Sequence, residues 1–206
     1  MDFRLLSGGR PGLRADYPAA FPQGPAEVRA YWEGLRRNGG IPARSDLDPR
    51  GLAQTLDRVF IAERIGPGLA QFRIGGSALG ECAGADLRGL PVSCLFLTEA
   101  RARLATVLER VLTTPIAADL RLEADRGIGR PALSARLLLL PLLDAAGQRT
   151  LVLGCFGFTG AIGRAPRRFV IDTVIEEQLV IAAKIAAKTP VQPAQAGCHL
   201  RLVHSA

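Results

Sequence analysis

The sequence predicts an α+β fold, in which a five-stranded antiparallel sheet carries helices on one face and N-terminal helices precede it. Two observations predict this fold. Short turns join most of the five strand-like segments, whereas a parallel sheet needs a helical crossover at each step. One long amphipathic segment interrupts the strand series after the second strand and packs on the sheet. The chain has 206 residues, 48% of them hydrophobic and 22% charged, which is typical of one globular domain with extensions.

The N-terminal part is predicted to be an irregular arm followed by a helix. Residues 1–25 contain eight glycines and prolines without a hydrophobic period. In residues 26–37 the apolar side chains recur at helical spacing, and Asn38 with the two glycines behind it ends the helix. Tyr31 and Trp32 in this helix are interface candidates, because their rings can dock it on the sheet or on a second copy of the chain.

The strand series begins after a second short helix. Asp48 is the predicted N-cap of that helix, which ends near residue 56, because Pro49 suits the first helical position. Residues 58–65 and 69–74 are predicted strands joined by a Gly-Pro-Gly hairpin connection. Residues 77–82 form a short predicted helix behind them.

The clearest helix of the sequence covers residues 98–113. Its apolar residues, among them Leu108, lie on one face at helical spacing. Three further strands are predicted over residues 116–123, 132–140 and 151–158.

The C-terminal part leaves two interpretations open. Residues 168–175 fit a sixth strand or the start of a helix, and residues 178–188 are an Ala-rich helix candidate. The predicted organisation is an arm over 1–25, a core domain with its leading helices over 26–158, and a partly helical C-terminal extension with a frayed end over 159–206.

Several short motifs occur in one order along the core domain. They are Tyr31-Trp32, Arg44 with Asp46-Leu47-Asp48-Pro49, Val59-Phe60-Ile61, Phe72-Arg73-Ile74-Gly75-Gly76-Ser77, Gly89, Leu140-Pro141-Leu142 and Leu153-Gly154. In this order the chain resembles PAS_5, an alphaproteobacterial family of PAS domains, over residues 26–158. The resemblance implies a sensory or interaction module with a five-stranded sheet, often without an assigned ligand.

The resemblance favours a regulatory module that binds a small apolar ligand or a protein partner. Ligand-pocket candidates are the apolar residues of the strands and the long helix, together with one arginine: Phe60, Phe72, Arg73, Leu108, Leu138, Phe156 and Phe158. The apolar candidates equally suit plain core packing. Arg73 suits an acidic ligand, but it also suits an ion pair with a carboxylate of the sheet or a helix.

Bound flavin and bound haem are both disfavoured. Cys94 lies where light-sensing PAS domains carry a reactive cysteine, but the Arg and Gln that follow it in those domains are Leu95 and Thr98 here. Haem needs an axial ligand such as histidine, and His199 and His204 lie in the extension. We therefore expect no cofactor. No CxxC motif and no Cys/His pair at zinc-binding spacing occurs, so no metal site is expected either.

Catalysis is not expected, because no histidine lies within residues 26–158 and no nucleophile elbow or phosphate loop occurs. Residues 159–206 are too few for a kinase or cyclase output domain, so a partner would carry the output. A small enzyme of a related helix-on-sheet fold and a transcription-associated nucleic-acid-binding protein are the alternatives.

The charge pattern predicts no specific nucleic-acid binding. The net charge of +7 is spread along the chain, and acidic residues interleave with the arginines. No signal peptide and no apolar run of membrane-spanning length occurs, so the expected location is the cytoplasm. The amphipathic helix over 26–37 predicts a homodimer whose interface includes that helix.

Overall fold

The computed structural model describes residues 24–181 of the chain. The strands of this part are β1 (Val59–Gly66), β2 (Leu69–Gly75), β3 (Ile116–Ala124), β4 (Leu133–Leu142), β5 (Leu151–Gly160) and β6 (Phe169–Gln178). They form one sheet in the order β2-β1-β5-β4-β3-β6, and all neighbours are antiparallel. Strand β1 therefore lies between its hairpin partner β2 and the distant strand β5, where Val59 is opposite Cys155.

The expectation of five strands is wrong, because the described residues contain a sixth. Strand β6 pairs with β3 from Phe169 to Gln178. A register shift opposite Arg121 and Leu122 breaks the alternation of β6, so its sequence pattern fits a helix start as well as a strand. Gln178 ends this strand and does not begin a helix, and the rest of the Ala-rich candidate lies outside the described residues.

Three α-helices occur within residues 24–181: α1 (Gly24–Leu35), α2 (Ser77–Ala83) and α3 (Thr98–Thr113). Helix α1 begins two residues earlier than predicted, because Pro25 is tolerated in a first helical turn. The second leading helix is only a 3₁₀ turn over Pro49–Leu52, where Asp48 Oδ1 accepts the backbone N–H of Arg50 at 2.9 Å as a cap. None of the described helices is long and apolar enough to cross a membrane.

Helices cover both faces of the sheet and not one face as expected. Helices α2 and α3 pack on one face, called here the α3 face, and α1 packs on the other, the α1 face. The cause lies in β4, which is buried on both faces from Leu137 to Leu142. A strand that is apolar on both sides needs two covering layers, and α1 supplies the second one.

Trp32 closes this second layer. Its side chain is fully buried, and its Nε1 donates a hydrogen bond to the carbonyl oxygen of Pro141 at 3.1 Å. The sequence allows the ring to dock either on the sheet of its own chain or on a second copy. The structure shows it on its own sheet, so Trp32 offers no surface to a second copy. Tyr31 is half-buried, and its hydroxyl accepts the backbone N–H of Asp48 at 2.7 Å.

Gly76 holds the start of α2 against the segment before β1. Its φ of −67° is ordinary, but a Cβ at this position would lie 2.2 Å from the carbonyl oxygen of Asp57. Close approach of two backbones, and not a left-handed conformation, is therefore what requires glycine here.

Candidate functional site

The predicted pocket residues on the α3 face pack against one another. Phe60, Phe72 and Phe156 are fully buried, and the ring centroid of Phe60 lies 5.1 Å from that of Phe72 and 6.0 Å from that of Phe156. Leu108 of α3 is also buried in this cluster. Four of the candidates thus form the hydrophobic core of the α3 face.

Further phenylalanines extend the same cluster. Phe158 is half-buried and stacks on Phe156 with a centroid distance of 5.6 Å, and Phe169 lies 5.9 Å from Phe156. Sequence reasoning missed Phe169 and the equally buried Phe96, because one lies in the ambiguous C-terminal segment and the other ends a loop. Aromatic side chains fill the space between the sheet and α3.

Leu138 does not belong to this group. Side chains alternate between the two faces of a strand, so Leu137 and Leu139 face α3 while Leu138 packs in the cluster with Trp32 on the α1 face. Its assignment to the same pocket as Phe60 is a correction that the register of β4 requires.

Arg73 pairs with a sheet carboxylate, as one of its two sequence interpretations predicts. Its Nε donates a hydrogen bond to Glu63 Oε2 on the neighbouring strand β1 at 2.5 Å. The side chains are 48% and 37% exposed, so the pair contributes little to stability.

A buried arginine that the sequence analysis did not single out joins three loops. Arg167 is fully buried, and its guanidinium donates to the carbonyl oxygens of Asp125 and Pro131 at 2.9 and 2.8 Å and to that of Ile162. The carboxylate of Asp125 lies 3.6 Å from Arg167 Nε and balances the charge. Backbone carbonyls surround this group, so its contacts are structural.

The three cysteines of the described chain are thiols at neutral pH. Burial raises the pKa of Cys82 and of Cys155 to about 12, and it also raises the pKa of Cys94 above its usual value of 9.0. A thiol reacts as a nucleophile through its thiolate form, which is scarce in all three. Residues 24–181 contain no group of three His, Cys, Asp or Glu residues that could hold a metal ion.

The α1 face leaves part of the sheet uncovered, beside strands β1 and β2. A trough of about 1250 Å³ lies there, with Ile61, Ile74 and Leu151 among the residues of its floor. Arg44 stands on the wall beside the β4–β5 turn, and Arg88 stands on the wall beside β2. Chain segments far apart in sequence line the trough, so no local motif could have indicated it.

Comparisons with known proteins identify the fold family. The model of the family PAS_5, described as a PAS domain, matches residues 21–157. No curated protein matches the chain. Among solved structures, the chain is similar to one titled as an RNA-binding light-oxygen-voltage receptor, with 17% sequence identity and a TM-score of 0.38. That match covers 57% of this chain and 35% of the receptor, so the chain spans about a third of its length.

Proposed function

Because this chain belongs to the PAS domain family, a family of sensory modules, we propose that it is a regulatory module that binds a small apolar ligand or a protein partner and catalyses no reaction. The contrast between the two faces of its sheet supports this function. Phenylalanine rings fill the α3 face, whereas the α1 face presents an open trough. The trough is therefore the site that the geometry favours.

Native mass spectrometry tests this proposal on the purified full chain. We expect no organic molecule held inside the protein, because a ligand on the α3 face would have to displace the rings of Phe156 and Phe169. Any molecule that copurifies is expected to be lost in the variant Ile74→Asp, which places a charge on the floor of the trough. A bound molecule that persists in this variant would contradict the choice of site.

The proposed absence of flavin agrees with the packing on the α3 face. A flavin ring there would need the space that Phe60, Phe156 and Phe158 occupy. Cys94 is half-buried and burial raises its pKa, so its thiolate form is scarce at neutral pH. The side chains on the α3 face thus do not fit a flavin. We likewise propose that the module holds no haem.

Thiol labelling tests whether any cysteine of the folded protein is a reactive nucleophile. In the variant Cys198→Ser, whose three remaining cysteines all lie in the described chain, we expect slow reaction with a maleimide at pH 7 under native conditions. Three groups should react at once after unfolding in urea. Rapid labelling of any native thiol would show an accessible thiolate and reopen covalent chemistry.

We also propose that the module forms a homodimer through the outer side of α1. Trp32 faces inward, but Ala26, Ala30 and Gly34 are exposed at intervals of one helical turn. A second helix can approach closely over such small side chains.

Sedimentation velocity measures this self-association directly. We expect a dimer for the wild type at micromolar concentration and a monomer for Ala30→Glu, which places a charge in the contact without touching the core. The matched control Arg37→Glu also alters an exposed residue and should remain dimeric. A monomeric wild type would refute the dimer.

A further inference from the structure

Two arginines of the trough have no charged or hydrogen-bonded side-chain partner among residues 24–181. Glu63 is paired with Arg73. Asp144 Oδ2 accepts a hydrogen bond from the Thr150 hydroxyl at 2.7 Å, and Asp144 Oδ1 accepts from two backbone N–H groups. These bonds hold the pKa of Asp144 below its usual value, so the carboxylate stays ionised, and both of its oxygens already accept hydrogen bonds. The side chains of Arg44 and Arg88, by contrast, make no hydrogen bond or ion pair within residues 24–181.

An apolar floor lies between these two arginines. Ile74 lies near the end of the edge strand β2 and is 50% exposed, and the buried side chains of Ile61 and Leu151 continue the floor. The volume of about 1250 Å³ exceeds the roughly 300–1,000 Å³ of most small-molecule pockets. The trough therefore suits a polypeptide segment with an apolar side chain between negative charges.

Strand addition at the neighbouring sheet edge is blocked within the protein. The N–H of Phe72 donates to the carbonyl oxygen of Leu90 at 2.9 Å, and the N–H of Gly89 donates to the carbonyl oxygen of Phe72 at 3.0 Å. These bonds occupy the outer edge of β2 at its middle. Recognition in the trough must therefore use side chains, as in helix-in-groove binding.

The chain's own ends have the wrong charge for this surface. Residues 182–206 contain three basic residues and no acidic one, and residues 1–23 contain three arginines and two aspartates. Residues 182–206 thus offer no carboxylate side chain to Arg44 and Arg88, and residues 1–23 have a net charge of +1, so a segment with a net negative charge complements the trough better than either end. Charge complementarity points to another protein that carries carboxylates.

We propose that the trough binds an acidic amphipathic peptide segment of a partner protein, whose carboxylates pair with Arg44 and Arg88 and whose apolar side chain packs on Ile74. Guanidinium groups bind carboxylates through two parallel hydrogen bonds. This geometry fixes the orientation of the carboxylate and also adds binding energy. This inference rests on the proposed function and names the chemistry of the partner.

Peptide selection tests the inference with the full chain. A phage-displayed library of random dodecapeptides is selected on the immobilised wild type, and the enriched peptides are synthesised and titrated by fluorescence anisotropy. We expect enriched sequences with at least two Asp or Glu residues around a large apolar residue. Their affinity should fall about tenfold or more in the double variant Arg44→Glu/Arg88→Glu, and it should also fall in Ile74→Asp.

A matched control separates the trough from net charge. The double variant Arg37→Glu/Arg126→Glu reverses two exposed arginines that do not line the trough, and it should bind as the wild type does. Enriched peptides that lack acidic residues, or that bind the trough variant as tightly as the wild type, would overturn the inference and leave the binding function standing. A selection without any enriched peptide would count against the inference and against a peptide-binding function together.

Discussion

Replacing Gly154 by alanine is expected to destabilise the fold by about 3 kcal/mol, at the upper end of the cost of overpacking a core. The new Cβ would lie 2.0 Å from Cζ of Phe60 and 2.2 Å from its Cε1. The ring cannot move aside easily, because Phe72 and Phe156 pack against it. Urea unfolding followed by circular dichroism measures the change in the free energy of unfolding.

Two further variants give this prediction its controls. In Phe60→Leu the obstructing ring is gone, so adding Gly154→Ala to it should cost much less than in the wild type. Within one copy of the chain, Gly34 has no atom within 4 Å of an added Cβ, so Gly34→Ala should stabilise α1 by about 0.5–1 kcal/mol when measured below the concentration at which the chain self-associates. If Gly154→Ala unfolds at the same urea concentration as the wild type, the close contact between β5 and Phe60 does not exist.

Trp32→Ala is expected to reduce the free energy of unfolding by about 3–5 kcal/mol, the usual cost of deleting a large buried aromatic side chain. The ring is the largest fully buried side chain of the α1 face, and its loss uncovers β4. The guanidinium groups of Arg29 and Arg36, which lie 5.8 and 5.3 Å from its ring centroid, would lose their contact as well.

Trp32→Phe isolates the hydrogen bond to Pro141. This variant retains most of the apolar area and loses the indole N–H, so we expect a smaller loss of about 1–3 kcal/mol. The experiment also separates the two sequence interpretations of this residue. A Trp32→Ala variant that keeps its stability but loses self-association would place the ring at a dimer interface, against the packing in the structure.

Local chemistry made several elements predictable. Asp48 followed by Pro49 marks a helix start by capping alone, and the structure contains that cap. The bounds of α3 follow from hydrophobic spacing, and Gly66 to Gly68 connect β1 and β2 as a hairpin. These features depend on neighbouring residues, which a sequence displays directly.

Tertiary contacts explain what the sequence did not disclose. Strand β4 is apolar at consecutive positions, so its sequence pattern does not show that Leu138 lies on the face opposite Phe60. Trp32 needs a buried surface, but only the fold shows that the surface is its own sheet. Arg44 precedes β1 in the sequence and Arg88 follows β2, and only the folded chain places both on the wall of one trough.

The pairing of β1 with β5 has a consequence for the newly synthesised chain. Val59 leaves the ribosome long before Cys155, and translation at roughly 5–20 residues per second makes that delay about 5–20 s. During this time the β1–β2 hairpin lacks β5, which is its neighbour in the folded sheet. An isolated two-stranded hairpin is only marginally stable in water. Phe60 and Ile61 then stay exposed on opposite sides, which makes the nascent hairpin a ready substrate for chaperones that bind apolar strands. A chain that stops before Leu151 never supplies that neighbour, so it should accumulate as aggregate while the full chain folds.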